Sequence, residues 1–318
     1  MTMKRLFLLL SCALCMAHCA FSQERIELIP YGDMEQWAVR YVKESALLGG
    51  KTKTLYVVAP TDTIKGNKAY TFENTPWGIS NAWAAPAGID KAACTTQPER
   101  RGDGWCARCD TRIETVRALG IVDIRVAIAG TLFLGKVIEP VRDASDPYGA
   151  IEMGIPFTKK PKALMLDYKT KVNPEHKLIK AKIFSVQEID GHDEPEVYVY
   201  LQKRWEKDGK IYAKRVGTMR YRFSKTTPNW QNDARFEIHY GDITKESWFK
   251  PYMDLNPNDG AFKAANSKGK MVKIEEIGWA DEDEAPTHVV LMLTAGCYPA
   301  WYGCPGNAFW IDNVRWVY

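Results

Sequence analysis

The sequence predicts an all-β protein: a jelly-roll β-sandwich with long loops and little helix. Short segments rich in Val, Ile, Tyr and Phe recur along the chain, with turn residues between them. Asp208-Gly209 separates two alternating segments, as the positive-φ residues of a tight β-hairpin do. Long helical periodicity is almost absent, and many short strands with evenly spaced turns are typical of sandwiches and jelly rolls.

The first 22 residues are predicted to be a signal peptide. Lys4 and Arg5 precede an apolar run over residues 6–19, and small residues up to Ser22 suit cleavage by signal peptidase. The run is too short for a typical transmembrane helix, and no other stretch could span a membrane. We therefore expect cleavage after Ser22, rather than lipidation at Cys12, and export to the periplasm or the cell surface.

Composition and charge give no reason to expect a nucleic-acid partner. The chain has 43 Lys and Arg residues against 39 Asp and Glu residues, a formal net charge of +4. Loss of Lys4 and Arg5 with the signal peptide lowers this charge to +2. The remaining basic residues are scattered rather than clustered, so the sequence lacks the electrostatic footprint of a nucleic-acid-binding protein.

The two ends of the mature chain are predicted to pair in one sheet. Phe309 and Ile311 alternate along the last segment, and the pattern breaks at Asp312-Asn313, which suits a β-bulge. A strand that ends a chain is held in place only if it pairs within a sheet. Its natural counterpart is the first patterned stretch of the mature chain, residues 26–37.

These end segments also carry a resemblance. The opening Gly-Asp-x-Glu-x-Trp, which begins at Gly32, and the closing aromatic-x-Ile-Asp-Asn-Val-Arg resemble the two ends of carbohydrate-binding-module jelly rolls. Many of those modules hold a structural calcium with acidic residues from both ends. The resemblance thus implies calcium at Asp33, Glu35 and Asp312, whose oxygens are of the kind that calcium prefers. The alternative is that Glu35 and Asp312 cap turns or pair with Arg315. No other cofactor is expected.

The internal strands follow from residue type and bounding turns. The predicted segments are residues 111–117, 121–129, 178–186, 196–204, 211–223, 236–240, 271–277 and 288–294. One short helix is expected over residues 37–48 and a single helical turn over residues 244–249. No Pro-, Gly- or Ser-rich linker separates two cores, so one elaborated domain over residues 23–318 is expected.

A second resemblance covers most of the chain. Three segments, Gly130-Thr-Leu-Phe-Leu-Gly135, Gly154-Ile-Pro-Phe-Thr-Lys-Lys-Pro161 and Leu166-Asp-Tyr-Lys169, resemble in this order a secreted bacterial family called the putative carbohydrate metabolism domain. With the end segments, the ordered set runs over residues 31–318. The resemblance implies a jelly-roll sandwich and a carbohydrate-related role. The cysteines and the loop over residues 295–306 depart from the family.

Five cysteines follow the signal peptide: Cys94, Cys106, Cys109, Cys297 and Cys304. An odd number leaves at least one thiol free or bonded between molecules. The Cys-x-x-Cys spacing of Cys106 and Cys109 also suits zinc, but disulfides are the expected state outside the cytoplasm. We expect Cys297 to pair with Cys304 and close the loop between them. The next expected pair is Cys94 with either Cys106 or Cys109.

Aromatic side chains are the candidate ligand-binding groups. All 11 tryptophans follow the signal peptide, and flat indoles stack on the apolar C–H faces of sugars. The candidate sugar contacts have loop-like neighbours or lie within the loop between Cys297 and Cys304; they are Trp77, Trp83, Trp105, Trp301 and Tyr302. Packing is an equal alternative for each, and it is the expected role of Trp37, Trp205, Trp279 and either Trp310 or Trp316.

The sequence therefore predicts an exported carbohydrate-binding protein for polysaccharide capture or processing. Its expected partners are a poly- or oligosaccharide and cell-surface glycan-utilisation proteins. One alternative is a glycoside hydrolase that uses an Asp/Glu pair on the same sandwich, although no nucleophile motif is present. A cleft with two buried carboxylates beside Trp77 or Trp83 would favour the hydrolase, and a flat aromatic platform would favour binding. A second alternative is a structural or adhesin component of the cell surface, which inward-facing loop tryptophans would favour.

Overall fold

The computed structural model describes residues 24–118, 122–143, 145–146, 148–175, 177–182, 185–256 and 261–318. The predicted signal peptide and its cleavage site lie outside these ranges. Strands dominate the described residues, and helix is confined there to three short 3-10 turns, Ala46–Leu48, Pro86–Gly88 and Pro251–Met253. The predicted all-β fold class is confirmed.

The strands are numbered in chain order over the described residues. The first half of the chain contains β1 Ile26–Leu28, β2 Trp37–Lys43, β3 Thr52–Val58, β4 Asp62–Lys65, β5 Trp77–Ile79, β6 Ala82–Ala84, β7 Lys91–Ala93, β8 Thr96–Arg101, β9 Gly104–Asp110, β10 Arg112–Ala118, β11 Val122–Ile128, β12 Thr131–Val137, β13 Ile151–Met153 and β14 Ile155–Pro156. The second half contains β15 Ala163–Lys171, β16 Lys177–Lys182, β17 Ser185–Asp190, β18 Glu196–Lys207, β19 Lys210–Arg222, β20 Thr227–Glu237, β21 His239–Tyr240, β22 Lys263–Ala265, β23 Met271–Trp279, β24 His288–Thr294, β25 Tyr302–Gly303 and β26 Ala308–Val317.

Two large sheets form the sandwich. In the described residues, one has six strands in the order β20-β15-β26-β9-β8, with β1 also paired to β26. The other has ten strands along the path β13-β12-β24-β18-β19-β23-β22, with β5, β14 and β21 attached beside it. Phe309 of the six-stranded sheet packs at 5.2 Å, between ring centres, against Phe223, which follows β19 of the other sheet. The main hydrophobic core therefore lies between the two sheets.

The six-stranded sheet ends at β20 on one side and at β8 on the other. Each of these edge strands contains a proline, Pro228 in β20 and Pro98 in β8. Proline lacks the N–H group that a further strand would need, and it is therefore tolerated at sheet edges.

The predicted pairing of the two chain ends is confirmed. β1 runs antiparallel to β26, with Ile26 opposite Val317. The predicted irregularity is also present, because the register between β15 and β26 shifts where Asp167 lies opposite Asp312. The next residue, Asn313, has a φ of 51°. Asparagine tolerates this left-handed conformation better than most residues, as a bulge at this position requires.

The hairpin prediction is also confirmed, whereas the helix predictions are wrong. Asp208 and Gly209 have φ angles of 54° and 75° and connect β18 to β19. The segment predicted as a helix over residues 37–48 instead begins with strand β2, which pairs with both β3 and β4. Its buried positions alternate, but one of them is Arg40, whose charge conceals the period-2 pattern. The turn expected over residues 244–249 is not helical, and the segment 178–186 is divided between β16 and β17.

Two buried ion pairs brace the packed strands. The side chains of Arg215 and Glu276 are both fully buried, and they join β19 to its parallel neighbour β23. Arg40 of β2 pairs with Glu139, and both side chains have no more than 1% exposure. The carboxylate of Glu139 also accepts hydrogen bonds from the backbone N–H groups of Tyr70 and Trp83. Buried charges of this kind need their partners to remain in place.

We expect His288 to make the stability of the fold depend on pH. Burial, and then the nearby charge of Arg204, lower the pKa of His288 from 6.5 to about 4. Its neutral ring contacts the hydroxyl of Thr287 at 2.9 Å. The folded state disfavours the protonated ring, so this contribution is complete above pH 6.5 and is lost as the pH falls towards 4.

His288→Asn should remove this dependence. Between pH 7 and pH 4.5, urea unfolding should show that the wild type loses about 1–2 kcal/mol more free energy of unfolding than the variant. Equal losses in the two proteins would contradict the assignment.

Candidate functional site

Of the predicted sugar-binding tryptophans, Trp77 is fully buried and Trp83 is partly buried. Trp77 is fully buried in the core, where its indole N–H donates to the carbonyl of Pro30 at 2.8 Å. A side chain without exposed surface cannot contact a glycan, so this assignment is corrected. Trp83 is partly buried beside a small cluster around Val42, and its indole N–H donates to Asp90 at 2.7 Å.

The loop that carries Trp301 and Tyr302 keeps both rings partly exposed. Trp301 has a φ of 72°, and its carbonyl accepts a hydrogen bond from the N–H of Ala181 at 2.9 Å. Tyr302 is parallel to Tyr298, with ring centres 6.3 Å apart. Trp301 and Tyr302 therefore stay predicted sugar contacts.

A buried carboxylate, rather than a disulfide, ties the two ends of this loop together in the structure. Asp193 has 1% exposure, and its two carboxylate oxygens accept hydrogen bonds from the N–H groups of Cys297, at 2.8 Å, and Cys304, at 3.0 Å. The backbone carbonyl of Asp193 accepts a further bond from Asn307 at 2.9 Å. Burial raises the pKa of Asp193, and the hydrogen bonds from the loop oppose this rise.

All five predicted disulfide cysteines, Cys94, Cys106, Cys109, Cys297 and Cys304, are free thiols in the structure. The expected Cys297–Cys304 bond is not present in the structure, where the carboxylate of Asp193 joins the backbones of the two residues. Cys106 and Cys109 lie three positions apart on β9 and therefore point to opposite sides of the sheet. Burial raises the pKa of Cys94 to about 11 and that of Cys297 to about 12, which disfavours the reactive thiolate form of both.

The three carboxylates expected to bind calcium do not share a partner, and two of them are engaged by different donors. Glu35 accepts a hydrogen bond from the N–H of Trp105 at 3.0 Å, and Asp312 accepts one from Arg101 at 2.7 Å. One oxygen of Asp33 is buried without a hydrogen-bond partner. Within the described ranges, no three His, Cys, Asp or Glu side chains are grouped so that they could hold a metal ion. Calcium at Asp33, Glu35 and Asp312 therefore stays a prediction without an assembled ligand set.

A continuous row of aromatic and charged side chains crosses the six-stranded sheet on the side that faces away from the core. We call this row the outer face. It consists of Trp230 on β20, Lys169 on β15, Trp310 on β26, Arg108 on β9 and Glu99 on β8, all partly exposed. Lys169 lies opposite Trp310, and Trp310 lies opposite Arg108, so these three belong to one register line.

Trp105, the remaining predicted tryptophan, is not part of this row. Along β9, the side chain of Trp105 points to the opposite side of the sheet from that of Arg108. It lies on the same side as Ala107 and Cys109, which pack in the core. It lies at the end of the strand, where the guanidinium of Arg100 covers its ring at 4.1 Å. Trp105 is partly exposed but belongs to the opposite side of the sheet from Trp310.

Trp310 is the central ring of the outer face. Its indole N–H donates to Glu99 at 2.7 Å, and because β9 lies between β26 and β8, the ring leans across β9. Lys169 is 4.4 Å from the ring centre, and the guanidinium of Arg108 is 5.1 Å from it. Burial raises the pKa of Glu99, but hydrogen bonds from Arg108 and Trp310 outweigh it and hold the pKa below its usual value.

Beside this row, Arg101 covers two carboxylates. Its Nη1 donates to Asp167 at 2.8 Å and to Asp312 at 2.7 Å, while its guanidinium lies 4.0 Å from the ring of Trp230. Burial raises the pKa of Asp312 to about 6, even though Arg101 opposes the rise. Burial acts in the same direction on Asp167, but hydrogen bonds led by the N–H of Asp233 lower its pKa overall. A carboxylate pair with separated pKa values is one arrangement that supports acid–base chemistry.

Sequence reasoning could have found part of this site. Phe309 and Ile311 are predicted to face the core, so Trp310 between them must face outward. Of the tryptophans expected in the core, Trp37 and Trp316 are buried, but Trp205 is 38% exposed. Trp230 follows a Thr-Thr-Pro-Asn sequence that indicates a loop rather than a strand, so no sequence pattern pointed to it.

Comparison with known protein families shows to which family the chain belongs. The putative carbohydrate metabolism domain matches residues 51–275 of the chain, which is more than half of its length. The chain belongs to this family. The resemblance expected from the sequence is therefore confirmed, and membership of the putative carbohydrate metabolism domain family supports a carbohydrate-related role.

The region that matches the putative carbohydrate metabolism domain includes four strands of the six-stranded sheet, β8, β9, β15 and β20. It therefore contains Glu99, Arg108, Lys169 and Trp230, whereas Trp310 lies beyond it on β26. The central ring of the outer face is thus contributed by the closing strand, outside the matched region.

Among solved structures, a crystal structure of a putative glycoside hydrolase from Bacteroides vulgatus ATCC 8482 is similar to this member of the putative carbohydrate metabolism domain family. The two chains are 16% identical, the similarity covers 92% of this chain and 94% of that one, and the TM-score is 0.47. No curated protein matches the chain. None of the helices in the described residues is long and apolar enough to cross a membrane.

Proposed function

We propose that this protein binds glycans on the outer face of its six-stranded sheet. The observation that carries the proposal is Trp310, whose indole leans across β9 on the side of the sheet that faces away from the core, with its N–H fixed by Glu99. An indole held in this way offers a sugar an apolar surface at little cost in conformational entropy.

The neighbours of Trp310 suit a sugar ligand. Lys169 and Arg108 on one register line, and Glu99 beyond them, supply hydrogen-bond donors and an acceptor for hydroxyl groups. With strands about 4.8 Å apart, the row from Trp230 to Arg108 is roughly 14 Å long. That length suits a short stretch of a polysaccharide lying across the strands, and the second indole, Trp230, lies at one end of it.

The proposal includes export, because residues 1–22 have the features of a signal peptide. A glycan-binding protein at the periplasm or cell surface would meet polysaccharides there, together with the proteins that process them.

Trp310→Ala tests the proposal. We expect affinity electrophoresis through polysaccharide gels to show retardation of the wild type in at least one gel, and the variant to bind about tenfold more weakly or worse, as for other central tryptophans of binding surfaces. Trp205→Ala is the matched control, because Trp205 is 38% exposed but belongs to the ten-stranded sheet.

Thermal melts should first show that both variants are folded. Retardation that survives Trp310→Ala, but is lost with Trp205→Ala or Trp301→Ala, would move the site away from the outer face. Unchanged migration of the wild type in every gel would contradict the binding proposal.

Hydrolysis is the second candidate, favoured by one observation: Asp167 and Asp312 share Arg101, and their pKa values are shifted in opposite directions. In a glycoside hydrolase, one carboxyl group acts as the acid while its partner stays ionised. Both residues are only 5% exposed and are engaged by Arg101, so Arg101 would have to move before they met a substrate. Release of reducing ends by the wild type, abolished in both Asp167→Asn and Asp312→Asn, would establish this candidate.

A further inference from the structure

We infer that the glycan bound on the outer face is anionic, with its carboxylate or sulfate group at the ammonium of Lys169. This inference rests on the proposed glycan-binding function and adds the ligand's charge and its orientation.

The ion pairs around the row single out Lys169. Arg101 is neutralised by Asp167 and Asp312. Arg108 is likewise neutralised by Glu99 and Asp110, at 2.8 and 2.9 Å. Over the described residues, by contrast, no carboxylate lies within ion-pair distance of Lys169, although this lysine occupies an interior strand of the sheet. Lys169 interacts with the carboxylate of Glu99 only through its charge at longer range. Among the described residues, the row therefore holds one cation that no carboxylate contacts directly.

The surroundings of Lys169 make this charge available to a ligand. Its Nζ lies 4.4 Å from the ring centre of Trp310 and 5.6 Å from that of Trp230. The two indoles restrict the side chain and remove part of its hydration, while the side chain stays partly exposed. A hydrogen bond from such an ammonium group to an anion is about twice as strong as one between neutral groups. An acidic group on a sugar stacked at Trp310 would meet this donor directly.

The same charges give the ligand a direction. The carboxylate of Glu99 lies on β8, across β9 from Trp310, and would repel an anion placed there. Lys169 lies on the other side of Trp310, on β15. We therefore place the acidic group towards β15 and β20, and the neutral hydroxyl groups of the same sugar chain towards Glu99, which can accept hydrogen bonds from them.

The test uses the full mature protein and pairs of glycans that differ only in charge. A polyuronate is compared with its methyl ester, and a sulfated glycan with its desulfated form, by affinity electrophoresis at low and at high salt. We expect the wild type to bind at least one acidic form about tenfold more tightly than its neutral partner, with the difference shrinking as salt rises. The pair that shows the difference identifies the acidic group as carboxylate or sulfate.

Three lysine variants then locate the effect. Lys169→Met keeps the apolar stem but removes the charge, and should abolish the preference while leaving the weaker binding of the neutral form. Lys169→Arg should retain most of the preference. Lys171→Met is the matched control, since Lys171 is an exposed lysine two positions along the same strand and should bind as the wild type does.

The failures of the two proposals are distinguishable. Equal binding of acidic and neutral forms by the wild type, or a preference that survives Lys169→Met, overturns the anionic assignment and leaves glycan binding at Trp310 intact. Absence of binding to every glycan, or binding that is unaffected by Trp310→Ala, overturns the site itself and the anionic assignment with it.

Discussion

Glu276→Ala is expected to lower the free energy of unfolding by about 3–5 kcal/mol, because it leaves the buried charge of Arg215 without its partner. Arg215 donates from Nε to Glu276 at 2.7 Å and stacks over the ring of Tyr200 at 3.5 Å, so it cannot turn to solvent without disrupting β18 and β19. Glu276 also accepts hydrogen bonds from Gln202 at 2.6 Å and from the N–H of Asn256 at 2.7 Å. Urea unfolding at pH 7 measures the loss.

Two controls separate the charge from the packing at this position. Glu276→Gln keeps the shape and part of the hydrogen bonding, and should cost less than the alanine variant. The double variant Arg215→Met/Glu276→Leu removes both charges, and should be more stable than Glu276→Ala alone because no unpaired charge remains buried. A loss below about 1 kcal/mol for Glu276→Ala would mean that water reaches Arg215. The outer face belongs to the other sheet, so the folded variants should still bind glycan.

Asp193→Ala is expected to cost about 2–5 kcal/mol, because it leaves the N–H groups of Cys297 and Cys304 without their common acceptor. Both donors lie at the base of the loop that carries Trp301, so the loop should also loosen and become sensitive to proteolysis. Asp193→Asn keeps one acceptor oxygen and should lose less stability. Urea unfolding and limited proteolysis measure the two effects.

The redox state of Cys297 and Cys304 decides which result would contradict the prediction for Asp193→Ala. If a disulfide between Cys297 and Cys304 closes the loop in the exported protein, Asp193→Ala would keep its stability until a reductant is added. Alkylation followed by mass spectrometry would then find both thiols blocked before reduction. Free thiols together with a large loss would instead identify the carboxylate as the closing element.

Much of the fold could be predicted because its signals are local. The alternation of Phe309 and Ile311, the break at Asn313 and the Asp208-Gly209 turn each specify a backbone shape within a few residues. The helix predicted over residues 37–48 failed for a non-local reason. Arg40 occupies a buried position of β2 only because Glu139, 99 residues further along the chain, neutralises it. No short-range sequence pattern indicates that such a distant ion-pair partner exists.

The candidate site was harder to predict because sheet order assembles it. Trp230, Lys169, Trp310 and Arg108 come from four strands, and β26 lies between β15 and β9 although it ends the chain. The sequence indicated that tryptophans would carry the function, but it favoured those with loop-like neighbours. Trp77 in that group is buried, since its strand β5 pairs with β12 and faces the core. Loop-like neighbours alone did not distinguish a tryptophan on a binding surface from one that packs in the core.

The prolines at both edges of the six-stranded sheet affect whether copies of this protein bound to one polysaccharide can associate with each other. Molecules bound side by side along a polysaccharide would be held at a high local concentration, at which exposed sheet edges tend to fuse and aggregate. Pro98 and Pro228 each interrupt the row of free N–H groups that a neighbouring strand would need. Crowded copies would therefore stay separate molecules, and each could leave the polymer independently.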